Sequence, residues 1–277
     1  MNISATDVNK LRQMTGAGMM DCKKALQESE GDFEKAIDYL RKKGQKVAGK
    51  RADRDANEGF VVAKVAEDLT FSAVVMLNCE TDFVGKTEEF RQFAKDILDA
   101  GVSKKVHSVP ELMPLIAGGI TVEQKLNDML GKTGEKMTIA HWEVIEAPVT
   151  FAYNHHGNRL ATILGMSPKE GNNVMEVGYE LAKQVAAMNP VAVNKEDVPQ
   201  NIIDREIEIG KDQARQEGKP EEMLEKIAAG KLNKFFKDST LMNQEYIKDT
   251  KKTCSQYIAE NDKNMKVTGF RRLQLGA

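Results

Sequence analysis

Cysteine is scarce: Cys22, Cys79 and Cys254 are the three in 277 residues. Odd in number, widely separated and in no metal-ligand spacing, they read as reduced thiols of a cytoplasmic protein. No apolar run approaches the roughly 20 residues of a membrane span. The opening Met-Asn-Ile-Ser-Ala-Thr-Asp lacks the basic-then-hydrophobic order of a signal peptide. An excess of one charge is lacking too: 40 basic against 42 acidic residues leave a net charge of −2, which disfavours a dedicated nucleic-acid binder. The most basic stretch, Arg41 to Arg54, has no aromatic residue to stack on bases and reads as a solvated linker or helix extension. Two Gly-Lys-Thr triplets, at Gly85 and Gly131, fail as phosphate loops, because the glycine required five residues earlier is Glu80 in one and Leu126 in the other; both sit on helical patterns. His155 and His156 have no third ligand nearby and, in a hairpin turn, read as solvent-exposed. There is no nucleophile elbow and no paired-cysteine site. No catalytic residue, metal or cofactor is expected.

What is present fits a globular α+β protein. Apolar residues make up 41% and charged residues 30% of the chain, and the length accommodates one to three domains. Residues 1–55 form a first unit of three short helices with a basic linker. Ser4 and Asp7 suggest a capping box, and Val8, Leu11 and Met14 share a face. Thr15-Gly16-Ala17-Gly18 breaks the chain, and a second helix runs from Met19 to Ser29. Asp32 caps the third helix, where Phe33, Ala36, Ile37 and Leu40 form an amphipathic stripe, and Gly44 ends it. Such a small unit suits docking. Met19 and Met20 beside the turn are either core residues or an adaptable contact surface.

Residues 56–140 form a second unit. Phe60–Ala66 and Leu69–Leu77 read as a hairpin across a two-residue turn, Glu67-Asp68. One helix from Asp82 to about Ala100 follows, then a softer stretch and a helix from Val122 to Leu130. A third unit, 141–198 with 238–277, repeats the plan. A strand over Glu135–Glu146 leads into a hairpin of Val149–Tyr153 and Leu160–Leu164, a helix ending at Asn189-Pro190 follows, and a last strand over Met265–Leu275 returns. This reads as an internal duplication. Residues 199–237 interrupt it with two charged amphipathic helices joined at Gly218-Lys219-Pro220. Ile203, Ile207 and Ala214 can face Leu224, Ile227, Ala228 and Phe235 in an antiparallel coiled-coil arm.

The pivotal stretch is Asn78-Cys79-Glu80-Thr81-Asp82-Phe83-Val84, between the first hairpin and its helix. Thr81 or Asp82 suits a helix N-cap. Spacing favours Phe83 as a staple of helix to sheet; the sharper alternative makes Asp82 and Phe83 a projecting contact for a partner.

Thr81-Asp82-Phe83-Val84 after Asn78-Cys79, together with the run from Leu11-Arg12 through Thr15-Gly16-Ala17-Gly18-Met19-Met20-Asp21-Cys22-Lys23-Lys24-Ala25-Leu26, resembles the bacterial elongation factor Ts family in motif, order and separation. The resemblance extends over nearly the whole chain. It implies a UBA-like three-helix N-terminal module, a duplicated core and a coiled-coil insertion. It also implies a nucleotide exchange factor that carries out no covalent chemistry, binds the GTPase elongation factor Tu and accelerates GDP release. By resemblance, Met19 and Met20, with Leu11 and Arg12 as further candidates, lie at or near the docking contact. Thr81, Asp82, Phe83 and Val84 insert beside the nucleotide and disturb its magnesium, with Asp82 acting by charge or by capping its helix. His156-Gly157 faces the GTPase. Many family members continue past the last strand with an acidic segment ending in a helix, which is not found here. The competing reading is a binding or ribosome-associated assembly module without exchange activity.

Overall fold

The computed structural model describes residues 3–50 and 54–276, with side chains except at 44–50. Its first three helices are α1 (Ala5–Thr15), α2 (Met19–Glu28) and α3 (Phe33–Lys50). Ser4 caps α1 by accepting from the Asp7 N–H, and Gly16 ends it in the left-handed conformation that costs glycine least. Val8, Leu11, Cys22, Ala25, Leu26 and Ala36 make a small core, flanked by Phe33, Ile37 and Leu40. Met14 departs from expectation at 57% exposed. Six residues beyond Val8 the helix has turned about 120° away, and Thr15 occupies the inner position, its hydroxyl donating to the Leu11 carbonyl at 2.8 Å. Gly44 does not end α3, which continues to Lys50 as the extension of the basic stretch. One glycine among helix-forming lysines and glutamine costs only about 1 kcal/mol. Positions 51–53 of that stretch lie outside the described residues.

The chain then forms β1 (Glu58–Val65) and β2 (Phe71–Cys79), an antiparallel hairpin in which Val65 pairs with Ser72. Its turn is longer than two residues. Leu69 takes a positive φ of 65° and donates to the Ala66 carbonyl, while Asp68 accepts from the Thr70 N–H. After β2 come α4 (Asp82–Gly85) and α5 (Glu88–Ser103), two helices where one was expected. Thr87 starts α5 by accepting from the Phe90 N–H, with Glu88 and Glu89 in the first turn favourable to the helix dipole. Phe90, Phe93, Ala94, Ile97 and Leu98 of α5 are buried on the sheet. There follow α6 (Val109–Leu112), the short pair β3 (Ile116–Ala117) and β4 (Ile120–Thr121), and α7 (Val122–Thr133), capped by Thr121.

Next, β5 (Thr138–Glu146) pairs antiparallel with β2, giving a first sheet of order β1-β2-β5. The first half therefore runs to Glu146 rather than ending at 140. Ile139 and Trp142 are buried in its core, and the Trp142 indole N–H donates to the Val106 carbonyl at 2.9 Å.

The second half has β6 (Val149–Asn154), β7 (Leu160–Ser167) and α8 (Val174–Met188). Then α9 (Gln200–Gln216) and α10 (Glu221–Ser239) form an antiparallel helical pair around buried Gly210, Ala214, Leu224 and Ala228. A Cβ on Gly210 would meet the Ala228 Cα at 3.2 Å, so glycine lets the helices approach closely. Ile203, Ile207, Ile227 and Phe235 are half-buried. Chain entering and leaving the arm runs side by side: the Leu241 N–H donates to the Ala192 carbonyl at 2.9 Å and the Val191 N–H to the Ser239 carbonyl at 2.8 Å. A small hairpin, β8 (Glu245–Tyr246) with β9 (Asp249–Thr253), and α11 (Cys254–Asn261) precede β10 (Lys266–Gln274), which pairs with β7.

The second sheet, β10-β7-β6, has the topology of the first: a hairpin whose second strand pairs with a strand that returns after the helix. The sheets meet face to face through Val61, Ala63, Val74, Met76 and Ile145 on one side and Ala161, Ile163 and Leu275 on the other. Helices α5 and α8 cover the outer faces. The result is a mixed α+β molecule of helices and small antiparallel sheets.

Candidate partner-binding site

Strand β2 is buried along its whole length, so the point where the chain leaves it at Glu80 is anchored to the core. Thr81 is extended and caps α4, its side chain accepting from the Val84 N–H at 3.5 Å. Of the two candidate caps, the structure uses Thr81. Asp82 instead pairs with Lys86 one turn on, at 2.5 Å, and that contact holds its carboxyl below the ordinary carboxylate value.

Beneath the turn, Gly85 is buried against the backbone of Gly59. A Cβ added to Gly85 would lie 3.4 Å from the Gly59 nitrogen and oxygen and from the Cys79 sulfur. The Cys79 thiol donates to the Thr81 carbonyl at 3.1 Å. Burial, with the nearby charges of Glu135 and Glu58, pushes that thiol up to about 12. Val84 packs against the first-half core. Phe83 is 82% exposed, the most exposed large hydrophobic side chain among the described residues. The staple expected from spacing is therefore absent: the tight α4 turn directs Phe83 outward and its neighbour Val84 inward.

A set of polar contacts that spacing did not single out holds this turn from the other side. Glu135 accepts from the Thr81 hydroxyl at 2.6 Å through Oε1 and from the Thr81 N–H at 3.0 Å through Oε2. One residue over, Glu80 accepts from the Lys136 N–H at 2.7 Å and from Arg54 at 2.9 Å. The Lys136 ammonium donates to the Arg54 carbonyl at 2.9 Å. Thr81 and Glu135 are 54 positions apart, which is why linear motif reading passes over the pair.

His156 and Gly157 lie in the β6–β7 turn, both exposed, with Gly157 at φ 83°. Beside them Asn154 and Asn158 satisfy the open edge of β1. Asn154 exchanges hydrogen bonds with the Ala63 N–H and carbonyl at 2.7 and 2.9 Å, and Asn158 donates to the Val61 carbonyl at 3.1 Å. Arg159 pairs with Glu58 at 2.6 Å. Gly85 thus packs on Gly59 and Arg159 pairs with Glu58 at the start of β1, while Asn158 and Asn154 lie farther along it at Val61 and Ala63. His155 contacts the Tyr153 hydroxyl at 3.0 Å, and Tyr153 meets the ring of the exposed Tyr179 edge-on.

In the N-terminal unit Met19 is 57% and Met20 73% exposed at the start of α2, and Arg12 is also exposed. Leu11 is fully buried in the three-helix core and so lies behind these exposed residues. The unit stands on α7: Arg41 lies 3.6 Å from Asp128, and the Lys132 side chain passes under Gly16.

Of the two Gly-Lys-Thr triplets, Gly131–Thr133 lies within α7 with Lys132 paired to Glu89. Gly85-Lys86-Thr87 spans the α4–α5 junction rather than one helix. Among the described residues no group of three or more His, Cys, Asp or Glu side chains is placed to hold a metal. No helix among them is long and apolar enough to cross a membrane.

Residues 80–277 match the family model described as Elongation factor TS. The chain is 50% identical over 274 residues to Elongation factor Ts of Christiangramia forsetii, covering 99% of both chains. It is 49% identical over 274 residues to the protein of that name from Flavobacterium psychrophilum, again covering 99% of both. It is 45% identical over 277 residues to the one from Amoebophilus asiaticus, covering 100% of both.

Proposed function

The chain belongs to the elongation factor Ts family, a family of translation elongation factors, and from that membership we propose that it is a guanine-nucleotide exchange factor for elongation factor Tu. In this reading it acts in the cytoplasm without covalent chemistry. The observation that carries it is Phe83: a large apolar side chain 82% exposed on a turn anchored to a buried strand. An exposed aromatic on a mobile loop would adapt to many surfaces. One on a clamped turn pushes.

In the mechanism, Thr81, Asp82, Phe83 and Val84 enter beside the nucleotide site of the GTPase. GDP on such proteins is held partly through a magnesium ion bridging phosphate and protein oxygens. Phe83 displaces an element that supports that ion. Burying the side chain in an apolar slot stabilises the complex by roughly 1.5–3 kcal/mol, or about one to two powers of ten in an equilibrium constant. Asp82, half-exposed and already paired with Lys86, contributes its charge at the rim. The N-terminal helices, a UBA-like unit, dock through Met19, Met20 and Arg12, and His156-Gly157 makes a second contact. The α9–α10 arm is, in this reading, a short antiparallel coiled coil. Linkage makes the effect reciprocal: if the factor weakens GDP binding, GDP weakens binding of the factor equally, so the complex is transient and GTP completes the exchange.

The test is release of a fluorescent GDP analogue from elongation factor Tu of the same organism, with and without this protein. Strong catalytic acceleration is expected. Spontaneous-rate release in the presence of folded protein would leave a binding or assembly module instead.

A further inference from the structure

We propose that Glu135 is a positioning residue for the Phe83 contact: its carboxylate grips both donors of Thr81 and so fixes the direction in which α4 presents Phe83. This rests on the reading of Phe83 as the inserted side chain.

The geometry is specific. A helix of four residues has too few internal hydrogen bonds to hold itself, so the orientation of α4 depends on its ends. At the far end the Thr87 hydroxyl donates to the Val84 carbonyl at 2.8 Å and Arg91 reaches the Gly85 carbonyl at 3.4 Å. At the near end, two residues from Phe83, Glu135 accepts one hydrogen bond on each carboxylate oxygen, from the Thr81 N–H and hydroxyl. Because the hydroxyl donates to Glu135, its lone pairs remain turned toward the Val84 N–H, so Glu135 also orients the cap. The neighbouring residues make the reverse contact, the Glu80 carboxylate accepting from the Lys136 N–H. Two short segments, 80–81 and 135–136, therefore hold each other by side chain to main chain in both directions. Two such restraints oppose rotation of α4 about the chain where one would leave it free to swivel.

The grip also lies where the N-terminal unit reaches the core. Arg54, at the end of the linker, pairs with Glu80. The unit stands on α7, whose C-cap Gly134 is followed directly by Glu135. The N-terminal unit is thus tied to the turn that carries Phe83 by two sets of non-covalent contacts, the Arg54–Glu80 ion pair on one side and, through α7, the Glu135–Thr81 hydrogen bonds on the other.

The experiment measures GDP-analogue release from elongation factor Tu over a range of factor concentrations, with wild type, Glu135→Ala, Glu135→Gln, Phe83→Ala and the Phe83→Ala/Glu135→Ala double variant. A positioning role lowers the saturating rate for Glu135→Ala, by roughly tenfold for loss of a charge-assisted pair of bonds, while the half-saturating concentration stays within about twofold. Glu135→Gln recovers only part of the rate: its amide oxygen still accepts the Thr81 N–H, but its amide nitrogen cannot accept from the hydroxyl and reverses that bond. In the Phe83→Ala background Glu135→Ala adds no further loss. Equal losses in both backgrounds, or an unchanged saturating rate for Glu135→Ala while Phe83→Ala is slow, would overturn the role of Glu135 alone. A Phe83→Ala factor as fast as wild type overturns the Phe83 reading and this one with it. Should Glu135→Ala not fold, Glu135→Gln, which keeps the side chain's length and the Thr81 cap, takes its place: a lowered saturating rate at an unchanged half-saturating concentration is expected, and a wild-type saturating rate overturns the role of Glu135.

Discussion

Phe83 and Val84 are adjacent in the chain and face opposite ways: Val84 packs against the first-half core, while Phe83 is 82% exposed. A single turn of helix, capped by Thr81 and seated on Gly59, separates the two directions. The energetic consequence is a sharp contrast between neighbours. Phe83→Ala should leave the melting temperature unchanged, within the roughly 0.5 kcal/mol of an ordinary surface change, whereas Val84→Ala should cost about 1 kcal/mol by losing partly buried methyl groups. Thermal denaturation of the two variants checks this; a Phe83→Ala protein less stable than Val84→Ala would mean that Phe83 is packed in solution.

The cap and the charge are assigned to different residues, so they can be separated. Thr81→Ala loses the cap and should cost about 1 kcal/mol. Asp82→Asn should leave the melting temperature in place, because its partner Lys86 is exposed and the cap of α4 is Thr81. Since Lys86 holds the Asp82 carboxyl below its ordinary value of 3.8, the stabilisation from this pair is complete above that value and is lost as pH falls through the lowered one. Melting curves of wild type and Asp82→Asn should therefore stay parallel from pH 8 down to pH 5. Divergence within that window would contradict the assignment.

All three cysteines are buried, and burial pushes Cys79 and Cys254 up to about 12. The reactive thiolate is thus nearly absent at neutral pH. Alkylation of the native protein at pH 8 should proceed only at the rate of unfolding or local opening. Because the folded thiols hold their protons more tightly than an ordinary thiol at 9.0, stability from these groups is complete below about 9 and declines as pH rises toward 12. Labelling of Cys79 at the rate of a free thiol would show that the turn above it opens readily.

The N-terminal unit separates core from contact in the same way. Leu11→Ala should destabilise the three-helix unit by about 2–5 kcal/mol, enough to unfold so small a core. Met20→Ala, with 73% of the residue exposed, should leave it folded and weaken partner binding alone. Circular dichroism with a binding titration distinguishes them. Full affinity in Met20→Ala would remove Met20 from the docking surface.

Much of this was legible from residue patterns, and the parts that were not have definite causes. Helices α2, α8, α9 and α10 followed from apolar spacing and from Gly or Pro at their ends, and the repeated order of hairpin, helix and returning strand is visible as two similar runs. The α4–α5 break was signalled by Thr87-Glu88-Glu89, a cap followed by acids, but was masked by the continuous apolar stripe around it. The pairing of β5 with β2 depended on Trp142 finding a place in the first core, which no local pattern encodes. Phe83 was ambiguous because an apolar residue at a helix start has the same spacing whether it packs or projects; family resemblance favoured projection, and only the turn geometry gives the direction. Glu135 carries no motif at all. Its importance to the turn comes from folding, which brings it against Thr81.

In the proposed exchange, Phe83 drives nucleotide release. The most direct measurement is the saturating rate of fluorescent-GDP release from elongation factor Tu with the wild-type factor and with Phe83→Ala, both verified as folded by their melting curves. A saturating rate lowered by at least tenfold, in line with the roughly 1.5–3 kcal/mol of burial lost, is the expected result. Equal saturating rates would contradict it and assign release to the docking surfaces instead.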